Sequence, residues 1–90
     1  MVTNRFGTET DMEYMDYMDY MRRIRDLRED NDYTQEYVAQ YLGTSQTMYA
    51  RYERGANELP IHHLISLCRL YHVSSDYILG LSAEKIQNIK

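Results

Sequence analysis

Residues 34–55, TQEYVAQYLGTSQTMYARYERG, constrain the fold of this chain more than any other stretch. They read as two short helices joined by a tight turn. Thr34 is a good N-cap for a helix from Gln35 to Tyr41, because its hydroxyl can accept an N–H that the first helical turn leaves unpaired. Gly43 supplies the left-handed residue that ends that helix. Thr44 or Ser45 then caps a second helix, which runs to about Arg54 and stops at Gly55. Ala39 lies one turn after Gln35, where a larger side chain would push the two helices apart. Val38, Leu42, Tyr49 and Tyr52 form the apolar set that closes the angle between them.

An alanine, a glycine four residues later and an apolar residue six after that are what a helix-turn-helix requires. The flanks narrow the match. IRDLRED (Ile24 to Asp30) precedes the motif, and LPIHHLISLCRLYHVSSDYILG (Leu59 to Gly80) follows it. Together these segments resemble the DNA-binding domain of the Cro/C1-type phage-repressor family, also called the XRE family. The resemblance covers about residues 20–81. It implies an all-α, five-helix repressor-like domain whose third helix enters the DNA major groove.

Ninety residues allow one small domain. A core of roughly 60 residues buries only about 60% of its unfolded surface, so such a domain is marginally stable. Cys68 is the only cysteine, so no internal disulfide adds to that stability. This usage fits a reducing cytoplasm, which is the expected location. No apolar run approaches the roughly 20 residues of a membrane span. The start, MVTNRFGTETD, lacks the basic and apolar regions of a signal peptide.

The net charge of −4 is unusual beside a nucleic-acid reading, but it is local. Residues 1–20 hold one Arg and five acids (Glu9, Asp11, Glu13, Asp16, Asp19), whereas residues 21–90 hold nine basic and nine acidic side chains. Three parts are therefore expected: an acidic, Tyr/Met-rich arm over residues 1–19, the helix-turn-helix domain over 20–81, and a short tail over 82–90. The tail is too short for the second domain that many relatives carry, so none is expected.

The arm contains DMEYMDYMDYM, and neither Gly nor Pro occurs from Asp11 to Tyr33. One helix from Asp11 to about Asp30 is the expectation, roughly 30 Å long. Tyr17, Tyr20 or Met21, Ile24 and Leu27 continue one face into the core. Met12, Met15 and Met18 lie off that face. Two apolar residues in three exceed what a helix with one side in water carries. The arm is expected either to pack on its own domain or be partly disordered, or to meet a second copy or another protein, for which Met and Tyr are suited. Tyr37 and Tyr41 form a similar exposed aromatic pair on the second helix. They are either ordinary amphipathic cover or a surface for the arm. A fourth helix, about Ile61 to Tyr71, is expected to bury Leu64, Leu67, Cys68 and Tyr71, with Pro60 setting its first turn. A fifth, capped by Ser74 or Ser75, is expected to insert Tyr77, Ile78 and Leu79.

The resemblance places Gln35 beside a phosphate or the first base pair, Gln46, Thr47 and Arg51 at base-reading positions, and Ser45 near the backbone. Arg54 remains as a nearby phosphate partner. The chemistry suits these roles: Gln can pair bidentately with adenine, Arg with guanine, and Thr can meet a thymine methyl. Without the motif, the same residues would read as an ordinary solvated polar face. Arg28 and Glu53 match a structural ion pair of the family that locks the third helix to the first. The chain departs from the family after the third helix. Ala56, Asn57, Glu58 and Leu59 stand where related repressors often carry phosphate-binding Lys or Arg. Arg22, Arg23, His62 and His63 are the remaining cations or potential cations expected nearby.

His62, His63, His72 and Cys68 do not have metal-ligand spacing, and no phosphate loop, nucleophile elbow or carboxylate pair is visible. No catalytic activity, cofactor or metal is expected. The leading expectation is a sequence-specific transcription regulator, a homodimer on double-stranded DNA, with repression by occlusion of polymerase as the simplest mechanism. The alternative is a protein-interaction module or antitoxin-type partner-binding protein that shares the fold, with the N-terminal arm as its protein contact.

Overall fold

The computed structural model describes residues 20–82, and among them all regular structure is helical. α1 is described over residues 20–30; its expected extension back to Asp11, and the arm and tail with it, lie outside the described residues. α2 spans Gln35–Leu42, α3 Gln46–Glu53, α4 Ile61–Tyr71 and α5 Ser75–Leu79. The described residues thus form a five-helix, all-α domain of the expected class.

Local chemistry accounts for the boundaries. α1 ends where Asp32 takes a left-handed conformation (φ 58°), which Asp tolerates better than most side chains. The Thr34 hydroxyl accepts the Tyr37 N–H at 3.0 Å and starts α2. Gly43 (φ 78°) ends it, and the Thr44 N–H returns to the Ala39 carbonyl at 2.9 Å. Of the two expected caps for α3, Ser45 is the one used: its Oγ accepts the Met48 N–H at 3.0 Å. Pro60 precedes α4, and Ser74 caps α5 by accepting the Tyr77 N–H at 3.0 Å.

The core lies between the helices rather than within any pair. Ile24 and Leu27 of α1 meet Val38 of α2, Tyr49 of α3, Leu67 of α4 and Ile78 of α5. Among α2 to α5, α2 and α3 pack most extensively on one another, and Ala39, 1% exposed, sits where the motif requires a small residue. On α1, Tyr20 and Met21 are both buried, so both candidates for the start of its apolar face are used. A Cβ at Gly55 would collide with the Met21 sulfur, and Gly55 also needs φ 79°. The left-handed φ selects glycine at the end of α3, while the flexible end of Met21 lies against it.

Four expectations need correction. On α4, Leu64 and Tyr71 are only half-buried, and His63 takes a buried position instead, its ring 5.7 Å from that of Tyr52. On α5 only Ile78 is fully inserted; Tyr77 is half-buried and Leu79 exposed. Arg23 is a tie within the domain: its Nη1 donates to the Tyr77 carbonyl at 2.6 Å and its guanidinium stands 5.1 Å from the Tyr77 ring centroid. The buried His63 and the engaged Arg23 are therefore withdrawn as cations for phosphate. Tyr37 and Tyr41 are exposed as expected, and the Tyr37 ring packs 4.5 Å from Tyr33.

Candidate nucleic-acid interface

The site starts from a charge inside the protein. Glu53, the last residue of α3, is only 8% exposed. Arg28 of α1 meets it bidentately, with Nε 2.7 Å from Oε2 and Nη2 3.1 Å from Oε1. The third guanidinium nitrogen, Nη1, donates to the Tyr33 carbonyl at 3.0 Å. Burial pushes the Glu53 carboxyl up, but hydrogen bonds from its neighbours outweigh that and hold it below the usual carboxylate range. The Arg28 guanidinium is raised in turn by its hydrogen bonds to Glu53. Tyr49, one turn earlier on α3, couples to the same carboxylate, yet its buried hydroxyl makes no hydrogen bond of proper geometry. We assign the stabilisation of the carboxylate to Arg28 and Gln35. Burial, and then the Glu53 charge, raise the phenols of Tyr49 and Tyr71 far above their ordinary values, so both stay protonated.

From this carboxylate a chain of hydrogen bonds leads outward. Gln35 Nε2 donates to Glu53 Oε1 at 3.1 Å, and Gln46 Nε2 donates to Gln35 Oε1 at 2.9 Å. An ionised carboxylate only accepts hydrogen bonds, so Gln35 must turn its NH2 inward and its oxygen outward. That oxygen in turn demands the NH2 of Gln46. The orientation of an exposed amide at the start of α3 is thus set by a charge in the core. Gln46 keeps one N–H and its carbonyl oxygen beyond this chain.

The other expected residues lie at the start of α3, along it and just past its end. Thr47 is exposed beside Gln46, and Arg54 is exposed just past the end of α3. Ser45 uses its oxygen as the cap of α3, which leaves its O–H as a donor. The helix N-terminus at Ser45 and Gln46 favours anions. Arg51 is half-buried, and its Nε donates to Asn57 Oδ1 at 2.5 Å. Among the described residues no group of three or more His, Cys, Asp or Glu gathers to hold a metal ion, and no helix is long and apolar enough to cross a membrane.

The helix-turn-helix family model matches residues 24–78, from the middle of α1 to the end of α5. The chain belongs to that family, the Cro/C1 (XRE) type of helix-turn-helix. It is 41% identical over 56 residues to an uncharacterized HTH-type transcriptional regulator, YobD, of Bacillus subtilis (strain 168). That alignment covers 62% of this chain and 50% of the relative, so the chain spans about half the length of the curated relative it matches. No solved structure gives a significant match.

Two partners at this site escaped the sequence reading. The Gln46–Gln35–Glu53 chain joins residues 11 and 18 positions apart, and only the helix-turn-helix packing brings them together. In the sequence Asn57 reads only as part of a loop poor in cations. The signal was Gly55: a left-handed residue there turns the chain back over the last turn of α3, toward Arg51.

Proposed function

We propose that this helix-turn-helix chain is a sequence-specific DNA-binding transcription regulator that lays α3 in the major groove and acts as a repressor. The observation that carries the reading is the outward chain from Arg28–Glu53 through Gln35 to Gln46. It presents an acceptor and a donor side by side, the pair that adenine N6 and N7 require. Gln35 keeps a second N–H, and Ser45 its hydroxyl hydrogen, for flanking phosphates at the helix N-terminus. Thr47 offers a methyl and a hydroxyl to the neighbouring base, Arg51 a guanidinium to guanine, and Arg54 a phosphate contact. Few cations surround this face, so one copy gains little from phosphates. A homodimer on two half-sites would recover affinity, because binding of the second half becomes intramolecular.

Selection of sites from random double-stranded DNA with the purified chain, followed by binding of Gln46→Ala to the selected site, tests the proposal. A two-fold symmetric site is expected, with about 1–3 kcal/mol lost by the variant and relaxed preference at one base pair per half-site. Enrichment of no sequence, or unchanged preference in the variant, would refute it.

A second reading, a protein-binding module on the same fold, draws support from an exposed apolar surface of the domain. Ile61 and Leu81 are 74% and 73% exposed, and a groove of about 310 Å³ is lined by Tyr20, Glu58, Leu59, Ile61, Leu64 and Leu79. Salt-dependent binding to random DNA separates the two, since a module without DNA affinity gives none.

A further inference from the structure

We propose that Asn57 is a positioning residue for base recognition, holding the Arg51 guanidinium so that its terminal nitrogens meet one guanine. The inference rests on the reading of α3 as the major-groove helix. Residue 57 lies outside α3 but is built onto its last turn. The Arg51 carbonyl accepts the Ala56 N–H at 2.9 Å and the Asn57 N–H at 3.3 Å. The Asn57 side chain then accepts Arg51 Nε at 2.5 Å, so the two residues are joined through backbone and side chain together. Gly55, at φ 79°, sets this return, and the side chain of the buried Met21 lies close to it.

The chemistry favours this pairing. A long arginine side chain has many rotamers, and freezing them on DNA opposes binding. An acceptor on Nε removes part of that freedom beforehand. It leaves the two terminal nitrogens with four N–H donors, the fork that matches O6 and N7 of guanine. Asparagine is also the neutral choice. Aspartate would hold Nε as well, but it would set a negative charge beside phosphate, where this domain has few cations to offset it.

The competing role for Asn57 is direct contact with DNA, and a double-mutant cycle separates the two. Arg51→Ala, Asn57→Ala and the double variant are compared with the parent on the selected site, on the same site with each base pair replaced, and on random DNA. Thermal melts accompany each. Arg51→Ala is expected to lower discrimination at one guanine roughly five- to 100-fold. Asn57→Ala should lower it at the same base pair by at least about threefold. Its affinity for random DNA and its melting temperature should stay unchanged, and the double variant should match Arg51→Ala. Asn57→Asp should keep the preference while binding all sequences more weakly.

An additive double variant would overturn the proposal, because Asn57 would then act on its own. A uniform loss of affinity with a lowered melting temperature would also overturn it, since Asn57 would then be merely structural. If Arg51→Ala keeps the preference while Gln46→Ala loses it, the Asn57 role falls and the α3 reading stands. If neither variant changes the preference, the α3 reading fails and the proposal with it.

Discussion

At the scale of single residues, the domain keeps a carboxylate where water barely reaches. Glu53 is tolerated there because two Arg28 nitrogens and the Gln35 amide donate to it. Removing it would strand the Arg28 guanidinium, whose side chain is only 13% exposed. We expect Glu53→Ala to cost roughly 3–5 kcal/mol, enough to unfold a domain of this size, whereas Glu58→Ala, at an exposed position, is nearly silent. Thermal melts of the two variants check this; equal, small shifts would mean that the pair contributes little. Since the folded carboxyl lies below its ordinary value, its contribution is complete above about pH 4.5 and is lost as the pH falls through the folded value. His63 acts in a higher window. Burial, then the neighbouring His62, lower its proton affinity, and its Nδ1 has no hydrogen-bond partner. A histidine held below its ordinary value of 6.5 costs stability once the pH drops below that value. Melts at pH 7.5 and 5.5 should show the parent losing stability on acidification and His63→Leu losing less. An identical loss in both would place the titrating group elsewhere.

At the scale of elements, the caps do two jobs that substitution can separate. Ser45 starts α3 with its oxygen and, in the proposed function, offers its hydrogen to a phosphate. Ser45→Ala should lose about 0.5–2 kcal/mol of stability and some DNA affinity together. Ser45→Asp should restore the cap and the stability, because a carboxylate suits a helix N-terminus, yet bind DNA worse than Ser45→Ala through repulsion by phosphate. Melting and binding curves that moved in step for both variants would remove Ser45 from the interface. These elements were legible in the sequence because their punctuation is local: Thr34, Gly43, Ser45 and Gly55 each act within a few residues. The Arg28–Glu53 pair was legible only through the family resemblance. The buried stripe of α4 differs from the expected one by part of a turn. Periodicity marks Leu64 and Tyr71 as buried, but Tyr52 of α3 packs against the side that carries His63. The hydrogen-bond chain to Gln46 and the Asn57 contact were not legible, since both arise only after α2, α3 and the following loop have packed.

At the scale of the whole molecule, charge and association pull in opposite directions. Residues 21–90 are electrically balanced, and the negative excess lies in residues 1–20. An acidic segment near a phosphate-binding face weakens all DNA binding, whatever the sequence. Its Tyr/Met repeat, in contrast, suits contact with a second copy, and a dimer on two half-sites binds its operator far more tightly than one domain does. Deleting residues 1–18 removes one Arg and four acids and most of that repeat. If the arm holds the dimer, the truncated chain should sediment as a monomer and lose tight operator binding while its affinity for random DNA at low salt rises. The two affinities must move in opposite directions, which simple unfolding cannot produce. A truncated chain that still sediments as a dimer would shift the contact to the exposed Ile61, Leu79 and Leu81. Ile61→Asp and Leu81→Asp would then be the variants that yield monomer. Should the full chain and the truncated one both be monomers in free solution, the arm has no part in association, and pairing occurs only on DNA, where adjacent half-sites bring two domains together.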